Sequence, residues 1–170
     1  MLMLKIIIYA LILGSTSIVG ILISNKYVLR EKELKEFKTA FNIFKTKINY
    51  TYEPIPSIFD GISKTIKGNV GSIFRISSIN MQDISAGESW GMALDREKNL
   101  SIKEEDKEVL KTLGKLLGKT DVAGQVNEIE LTETFLDEQI TKAKGEKEKN
   151  EKLCKMLGMI VGIAIVIVLM

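Results

Sequence analysis

Two long apolar segments lie at opposite ends of the chain, and charged residues fill the sequence between them. Residues 6–23 contain no charged side chain, and neither do residues 156–170. As helices, these segments would be about 27 Å and about 22 Å long at a rise of about 1.5 Å per residue. A bilayer core is about 30 Å thick, and flanking lysines can extend each span toward the interface. The pattern predicts transmembrane helices at 5–24 and 153–170.

The residues that follow the first apolar segment have helical periodicity. Large apolar residues recur every seven positions, with two phenylalanines on the same face, at Tyr27, Leu34, Phe37, Phe41, Phe44 and Ile48. Such an amphipathic stripe predicts a helix that buries one face and continues the first span. Pro54 and Pro56 predict its end, because proline disfavours helical geometry in the residue before it.

Several shorter helices are predicted between the prolines and the second span. Apolar spacing predicts helices at 55–67, where Gly68-Asn69 is a stop signal, and at 70–81. Ser85 is expected to cap the next helix. Ser101 with Glu104 forms a capping-box pattern, and the acidic run 104–106 then favours the positive end of a helix rather than a metal. A last helix is expected to run from Asp121 to the C-terminus. The fold class predicted is all-α, with an antiparallel helical bundle at 25–152 between the two spans.

The distribution of lysine and arginine predicts the orientation of the spans. The chain has 24 basic and 22 acidic residues, but the basic residues next to the spans lie almost entirely on the bundle side. By the positive-inside rule the bundle faces the cytoplasm, and the basic flanks favour anionic lipid. An alternative for the first segment is a cleaved signal peptide, with small residues at 14–17. Against this, apolar residues resume at Ile18.

Composition argues against most catalytic and metal-dependent classes. The chain has no histidine and one cysteine, so the commonest general base and metal ligand are missing. Cys154 stands at a membrane boundary, where it is expected to be an apolar filler, with reversible acylation as the alternative. Gly114 and Gly118 resemble the end of a phosphate-binding loop, but their spacing is wrong for one. We expect no catalytic, cofactor-binding, metal or nucleic-acid site.

Short motifs along the chain resemble one known family. These are Tyr50-x-x-x-Pro54-Ile55, Ser85-Ala86 followed by Trp90, Gly114-x-x-Leu117-Gly118-x-x-Asp121-x-x-x-Gln125, and Leu157-Gly158 leading to Leu169-Met170. Together with the apolar ends, they resemble the stage III sporulation protein AB family of spore-forming Firmicutes over the whole length. One departure is Lys47, where the family pattern leads us to expect an acidic residue.

The resemblance implies a role without catalysis. It implies membership of the stage III sporulation complex in the mother-cell membrane facing the forespore. It also implies a bundle similar to the cytoplasmic domain of the platform proteins of type II secretion and type IV pilus machines. Such a platform couples a cytoplasmic ATPase to a membrane assembly, and the implied partner is the complex's ATPase, stage III sporulation protein AA.

Several residues are candidates for structural or partner-contact roles. They are Tyr50, Pro54, Trp90, Gly114, Leu117, Gly118, Asp121 and Gln125. For Trp90 the alternatives are a core side chain and an interface anchor. For the two glycines they are packing inside the bundle and a groove for a partner helix. Asp121 is expected to cap a helix, and Gln125 to close a local hydrogen bond.

Small residues within the spans are candidates for helix packing. Ala10 and Gly14, and likewise Gly158 and Gly162, are spaced four apart, which permits close helix approach. The contact could lie within one molecule or between copies in a homo-oligomer. Three functions remain open: a scaffold that recruits the ATPase, a generic membrane adaptor or signalling stalk, and a membrane-bound enzyme, which no visible residue set supports.

Overall fold

The computed structural model describes residues 2–51 and 53–169, and within them the chain forms helices and turns without strands. Met170, and the side chain of Lys5 that was expected at the membrane interface, lie outside the described residues. The elements are α1 (Leu2–Tyr50), α2 (Ile55–Thr65), α3 (Gly68–Asn80), α4 (Ala86–Arg96), α5 (Glu104–Thr112), a 3-10 turn (Leu113–Lys115) and α6 (Val122–Leu169). The predicted all-α class is confirmed.

Helix α1 carries both the first apolar segment and the aromatic stripe, as the spacing predicted. Its apolar stripe is buried from Leu34 to Ile48. The helix ends at Tyr50, and the backbone is extended at Pro54, with φ of −60° and ψ of 142°. Pro56 then occupies the first turn of α2, where its missing N–H removes no helical hydrogen bond.

Helices α2 and α3 meet at a glycine with left-handed geometry. Gly68 has φ of 78°, a value that glycine adopts without steric cost. The stop signal predicted at Gly68 therefore holds for α2, which ends at Thr65. Gly68 is also the first residue of α3, so α3 begins two residues earlier than predicted.

Helix α4 has the N-terminal cap predicted at Ser85. The Ser85 hydroxyl accepts a hydrogen bond from the Glu88 N–H at 3.3 Å, and the Glu88 carboxylate accepts one from the Ser85 N–H at 3.3 Å. This capping box satisfies two backbone donors at the helix start. We expect Ser85→Ala to lower the free energy of unfolding by about 1 kcal/mol, measured by thermal unfolding of the full chain in detergent. An unchanged melting temperature would contradict the cap.

The capping box predicted at Ser101 and Glu104 is wrong. Helix α5 begins at Glu104, and its cap is Lys103, whose N–H donates to the Asp106 carboxylate at 2.8 Å. The Ser101 N–H donates instead to the Glu33 carboxylate of α1 at 2.6 Å. Ser101 is therefore held by a hydrogen bond to a distant residue and does not cap a helix. The acidic first turn of α5 itself is as predicted.

The chain divides into two compact units. The bundle unit is Lys32–Thr141 and contains α2 to α5 with parts of α1 and α6. Its two long helices run antiparallel, because Lys38 pairs with Asp137 while the later Lys45 pairs with the earlier Glu133. Its core is aromatic and aliphatic, and a charged surface surrounds it.

The paired-helix unit comprises residues 1–31 and 142–170. Its described parts are the start of α1 and the end of α6. Both helices are long and apolar enough to cross a membrane, and their apolar stretches are almost entirely exposed. A core helix of a water-soluble protein would be mostly buried instead. They are the two candidate membrane spans among the residues that the structure describes.

Candidate functional site

Trp90 lies at the centre of the bundle unit and is fully buried. Its ring contacts Phe74, with centroids 5.1 Å apart, and Phe59 at 5.8 Å. Phe37 and Phe41 of α1 lie at 6.3 Å and 6.0 Å. These separations and the tilted or edge-on angles are those that aromatic pairs prefer. Trp90 is therefore a core side chain, and the alternative of an interface anchor is wrong.

The polar end of Trp90 is also satisfied inside the bundle. Its indole Nε1–H donates to the carbonyl oxygen of Leu110 at 2.7 Å, which links α4 to α5. Leu117, another candidate, is 1% exposed and belongs to the same core. Both residues position the helices and present no surface to a partner.

The two candidate glycines do not share a helix face, contrary to the expectation from their spacing. Helix α5 ends at Thr112, before both glycines; Gly114 lies in the 3-10 turn that follows, and Gly118 lies beyond that turn with φ of 75°. Gly114 packs directly against Gly87 of α4, where an added Cβ on Gly87 would overlap the Gly114 carbonyl. A Cβ on Gly118 would lie 3.3 Å from that of Ala86. Both glycines serve close packing inside the bundle.

Asp121 and Gln125 have the local roles that the sequence predicted. The Asp121 carboxylate accepts a hydrogen bond from the Gly124 N–H at 2.9 Å and caps α6. The Gln125 side chain is buried and donates to the Thr120 carbonyl at 3.4 Å. These contacts hold the turn before α6 in place.

Tyr50 differs from Trp90 and Leu117 because its side chain lies at the surface. A core role predicts burial, yet the side chain is 76% exposed at the end of α1. Ile48 is the last buried residue of the apolar stripe on α1. Tyr50 comes two residues later and therefore lies on a different face of the helix, away from the core. Pro54 is exposed as well. Lys47, where an acidic residue was expected, pairs with Glu53 at 3.0 Å across the loop.

In the paired-helix unit, α1 and α6 approach each other through glycines. A Cβ on Gly158 would lie 2.7 Å from the Thr16 carbonyl and 3.1 Å from the Gly20 Cα. Gly162 packs against Thr16 and Leu13. Gly158 and Gly162 therefore lie at the contact between α1 and α6 within one molecule. Gly20, which no motif indicated, is their partner on α1.

Ala10 and Gly14, the other candidate packing pair, do not lie in the contact between α1 and α6 within one molecule. Both residues are exposed, and no atom of another element lies within 4 Å of a Cβ built on Gly14. The contact face of α1 is defined instead by Leu13, Thr16 and Gly20, spaced three and four apart. Spacing of small residues alone does not distinguish one helix face from the next.

Charged residues continue the pairing where the apolar stretches end. Arg30 is 2% exposed and donates to the Glu146 carboxylate at 2.7 Å, and Lys147 pairs with Glu31 at 2.9 Å. Each helix thus contributes one acid and one base. The Glu31 carboxylate raises the pKa of Lys147 through this hydrogen bond. The two pairs favour one antiparallel register of α1 against α6 over neighbouring registers.

Glu33 is a structural residue that the sequence reasoning missed. Its carboxylate accepts hydrogen bonds from the Ser101 N–H at 2.6 Å and the Asn69 amide at 2.9 Å, which tie α3 and the loop before α5 to α1. It is 5% exposed, and burial raises the pKa of Glu33 above its ordinary value. The sequence feature that could have indicated burial of Glu33 is its position four residues before Phe37, next to the apolar stripe.

The raised pKa of Glu33 predicts a specific pH dependence. Since the folded chain binds this proton more tightly than the unfolded chain, protonation of Glu33 favours folding. The stabilisation is complete below the ordinary carboxyl pKa and is lost as pH rises through the raised folded pKa. We expect the melting temperature of the wild type minus that of Glu33→Gln to increase as pH is lowered from 7 toward 4. A difference that stays constant with pH would contradict the assignment.

Comparison with known proteins places the chain among sporulation proteins. The sequence model of the family described as stage III sporulation protein AB matches residues 5–170. This chain belongs to the stage III sporulation protein AB family. It is 28% identical over 171 residues to the stage III sporulation protein AB of Bacillus subtilis (strain 168), covering 99% of this chain and all of the relative.

A solved structure of a stage III sporulation protein AB has the same fold. It superimposes with a TM-score of 0.65 at 25% identity and covers 70% of this chain and 96% of the solved chain. The resemblance drawn from the sequence motifs is therefore confirmed. Among the described residues of this family member, no group of three or more His, Cys, Asp or Glu side chains is placed to hold a metal ion.

Proposed function

We propose that this protein is a non-catalytic scaffold subunit of the stage III sporulation complex, anchored by two membrane spans, and that it docks the complex's cytoplasmic ATPase. The observation that carries the proposal is the close contact at Gly20 and Gly158 between the charge-free stretches of α1 and α6. Two exposed apolar helices that pack through glycines have the properties of paired membrane spans. Such a pair would anchor the charged bundle unit to the bilayer.

The membrane topology is the first part of the proposal. Apart from Lys5, the basic residues next to the two apolar stretches lie on the bundle side of both, which favours a cytoplasmic bundle unit. A test is protease treatment of intact protoplasts and of inverted membrane vesicles from sporulating cells. Cleavage of the bundle unit is expected only in the vesicles, and cleavage in intact protoplasts would overturn the orientation.

Retention of the first apolar segment is the second part. Gly20 packs against the Cys154 carbonyl and Gly158, so the segment has a specific contact within the chain. A cleaved signal peptide has no need of such a contact. Sequencing the N-terminus of the mature protein separates the alternatives, because a first residue near position 18 would show that the segment is removed.

Docking of the ATPase is the third part, and it rests on the family. Buried Glu33 and Trp90 link helices of the bundle unit through hydrogen bonds, which fits a structural role. The test is co-purification of the full chain, reconstituted in lipid nanodiscs, with purified stage III sporulation protein AA. A second test is deletion of the gene for this protein, which is expected to abolish spore formation and to leave vegetative growth normal. Impaired vegetative growth would favour a generic adaptor.

A further inference from the structure

One face of α6 in the bundle unit is apolar at its centre and acidic at both ends. We call it the acidic-apolar stripe, and it consists of Glu128, Leu131, Phe135 and Glu138. Their spacing of three, four and three residues places them in one row along the helix. Leu131 is 49% exposed and Phe135 is 38% exposed. The opposite side of the same helix is buried at Ile129 and Leu136, so core packing does not explain these two apolar side chains.

The charges on α6 differ between the stripe and the side that faces α1. Toward α1, Glu133 pairs with Lys45 at 2.7 Å and Asp137 pairs with Lys38 at 2.5 Å. The hydrogen bond to Glu133 raises the pKa of Lys45, as a close pair requires. In the part of the chain that the structure describes, Glu128 and Glu138 have no lysine or arginine within ion-pair distance. The two carboxylates of the stripe are therefore not held in ion pairs, although Lys142 lies one helical turn after Glu138.

We propose that the acidic-apolar stripe is a docking surface for a protein that presents an apolar surface flanked by lysine or arginine. Leu131 and Phe135 would supply the buried contact, and the two carboxylates would orient the partner and accelerate its association. The inference rests on the proposed function, in that the partner bearing this basic and apolar surface is the complex's ATPase.

The charge of the stripe disfavours the other occupants. An anionic membrane surface repels carboxylates, so a lipid headgroup does not fit. A second copy of the chain docking through the same stripe would place like charges against each other if the stripes met in parallel register. In antiparallel register, Glu128 of one copy would lie against Glu138 of the other, so like charges would again meet. A basic protein surface satisfies both the apolar and the charged positions.

The experiment measures binding of purified stage III sporulation protein AA to the full chain in phosphatidylcholine nanodiscs. We expect the double variant Leu131→Asn, Phe135→Asn to bind at least about tenfold more weakly than the wild type, as for central interface residues. The control is Ile79→Asn, because Ile79 is 54% exposed on α3 and lines a surface groove with Pro56 and Asp60 rather than with stripe residues. Its affinity is expected to be unchanged.

A second comparison tests the charges without altering apolar surface. Glu138→Lys is expected to weaken binding by roughly tenfold at low salt and to reduce its salt dependence, because exposed charges are screened by salt. The matched control is Asp83→Lys, an exposed acid between α3 and α4. Both positions are exposed, so melting temperatures close to that of the wild type would show that the variants fold.

The outcomes distinguish failure of the stripe as a docking surface from failure of the proposed function. Weakened binding by the stripe variants, with both controls unaffected, supports the stripe as the docking surface. If the wild type binds and the stripe variants bind equally well, the stripe is overturned while the proposed function stands. If the wild type does not bind the ATPase, both are overturned.

Discussion

Trp90→Ala is expected to lower the free energy of unfolding of the bundle unit by about 3–5 kcal/mol, the range measured when large core aromatics are truncated. The side chain is fully buried and touches aromatic rings from α1, α2 and α3. Alanine would leave a cavity between these helices and would also leave the Leu110 carbonyl without its 2.7 Å donor. Thermal and chemical unfolding of the full chain in detergent would measure the loss.

A graded series of variants separates the two parts of this effect. Trp90→Phe keeps a ring but removes the N–H, so its cost should be smaller and reflect mainly the unpaired carbonyl, about 1–3 kcal/mol. Tyr50→Ala is the matched control from the same family motifs. Because Tyr50 is 76% exposed, its effect should stay within about 0.5 kcal/mol. Equal losses at Trp90 and Tyr50 would contradict the packing described above.

The contrast between Trp90 and Tyr50 shows what periodicity reveals. The stripe from Leu34 to Ile48 was predictable because a buried helix face repeats with a known period. Tyr50 belongs to a motif but not to that repeat, so only the three-dimensional position of the helix end shows that it is exposed. Helix positions were therefore predictable to within a few residues, whereas the environment of a residue at a helix end was not.

Local patterns failed where long-range contacts compete with them. Ser101 and Glu104 have the residues of a capping box, but the Ser101 N–H bonds to Glu33, which lies 68 positions earlier in the chain. Glu33 was overlooked because a glutamate next to an apolar stripe is usually solvated. In contrast, the caps at Ser85 and Asp121 were correct because no distant group takes their hydrogen bonds.

On α6 the contact lies at Gly158 and Gly162, which the sequence analysis named, but on α1 it lies at Gly20, which was not predicted. Small residues occur on several faces of α1, and the sequence contains no signal that ranks Gly20 above Gly14. What distinguishes them is the partner, since a Cβ added to Gly20 would lie 2.6 Å from the Cys154 carbonyl oxygen, whereas one added to Gly14 would meet nothing within 4 Å. The two glycines therefore form a matched pair for experiment.

Gly158→Leu is expected to separate α1 from α6 and to destabilise the paired-helix unit by about 1–3 kcal/mol, the usual cost of overpacking. A Cβ at position 158 would lie 2.7 Å from the Thr16 carbonyl, and backbone cannot yield as a flexible side chain can. Gly20→Leu should act in the same way from the other helix. Gly14→Leu adds the same side chain to α1 at an open position and should have little effect.

The native cysteine reports on this separation. Cys154 is the sole cysteine of the chain and is half-buried, in the groove that Gly20 and Gly158 also line. In detergent, its reaction with a thiol-reactive fluorophore should be faster in Gly158→Leu and Gly20→Leu than in the wild type and in Gly14→Leu. If all four proteins react at one rate and melt at one temperature, the glycine contact does not hold the helices together. The antiparallel pair would then depend on Arg30 and Glu31 with their partners on α6.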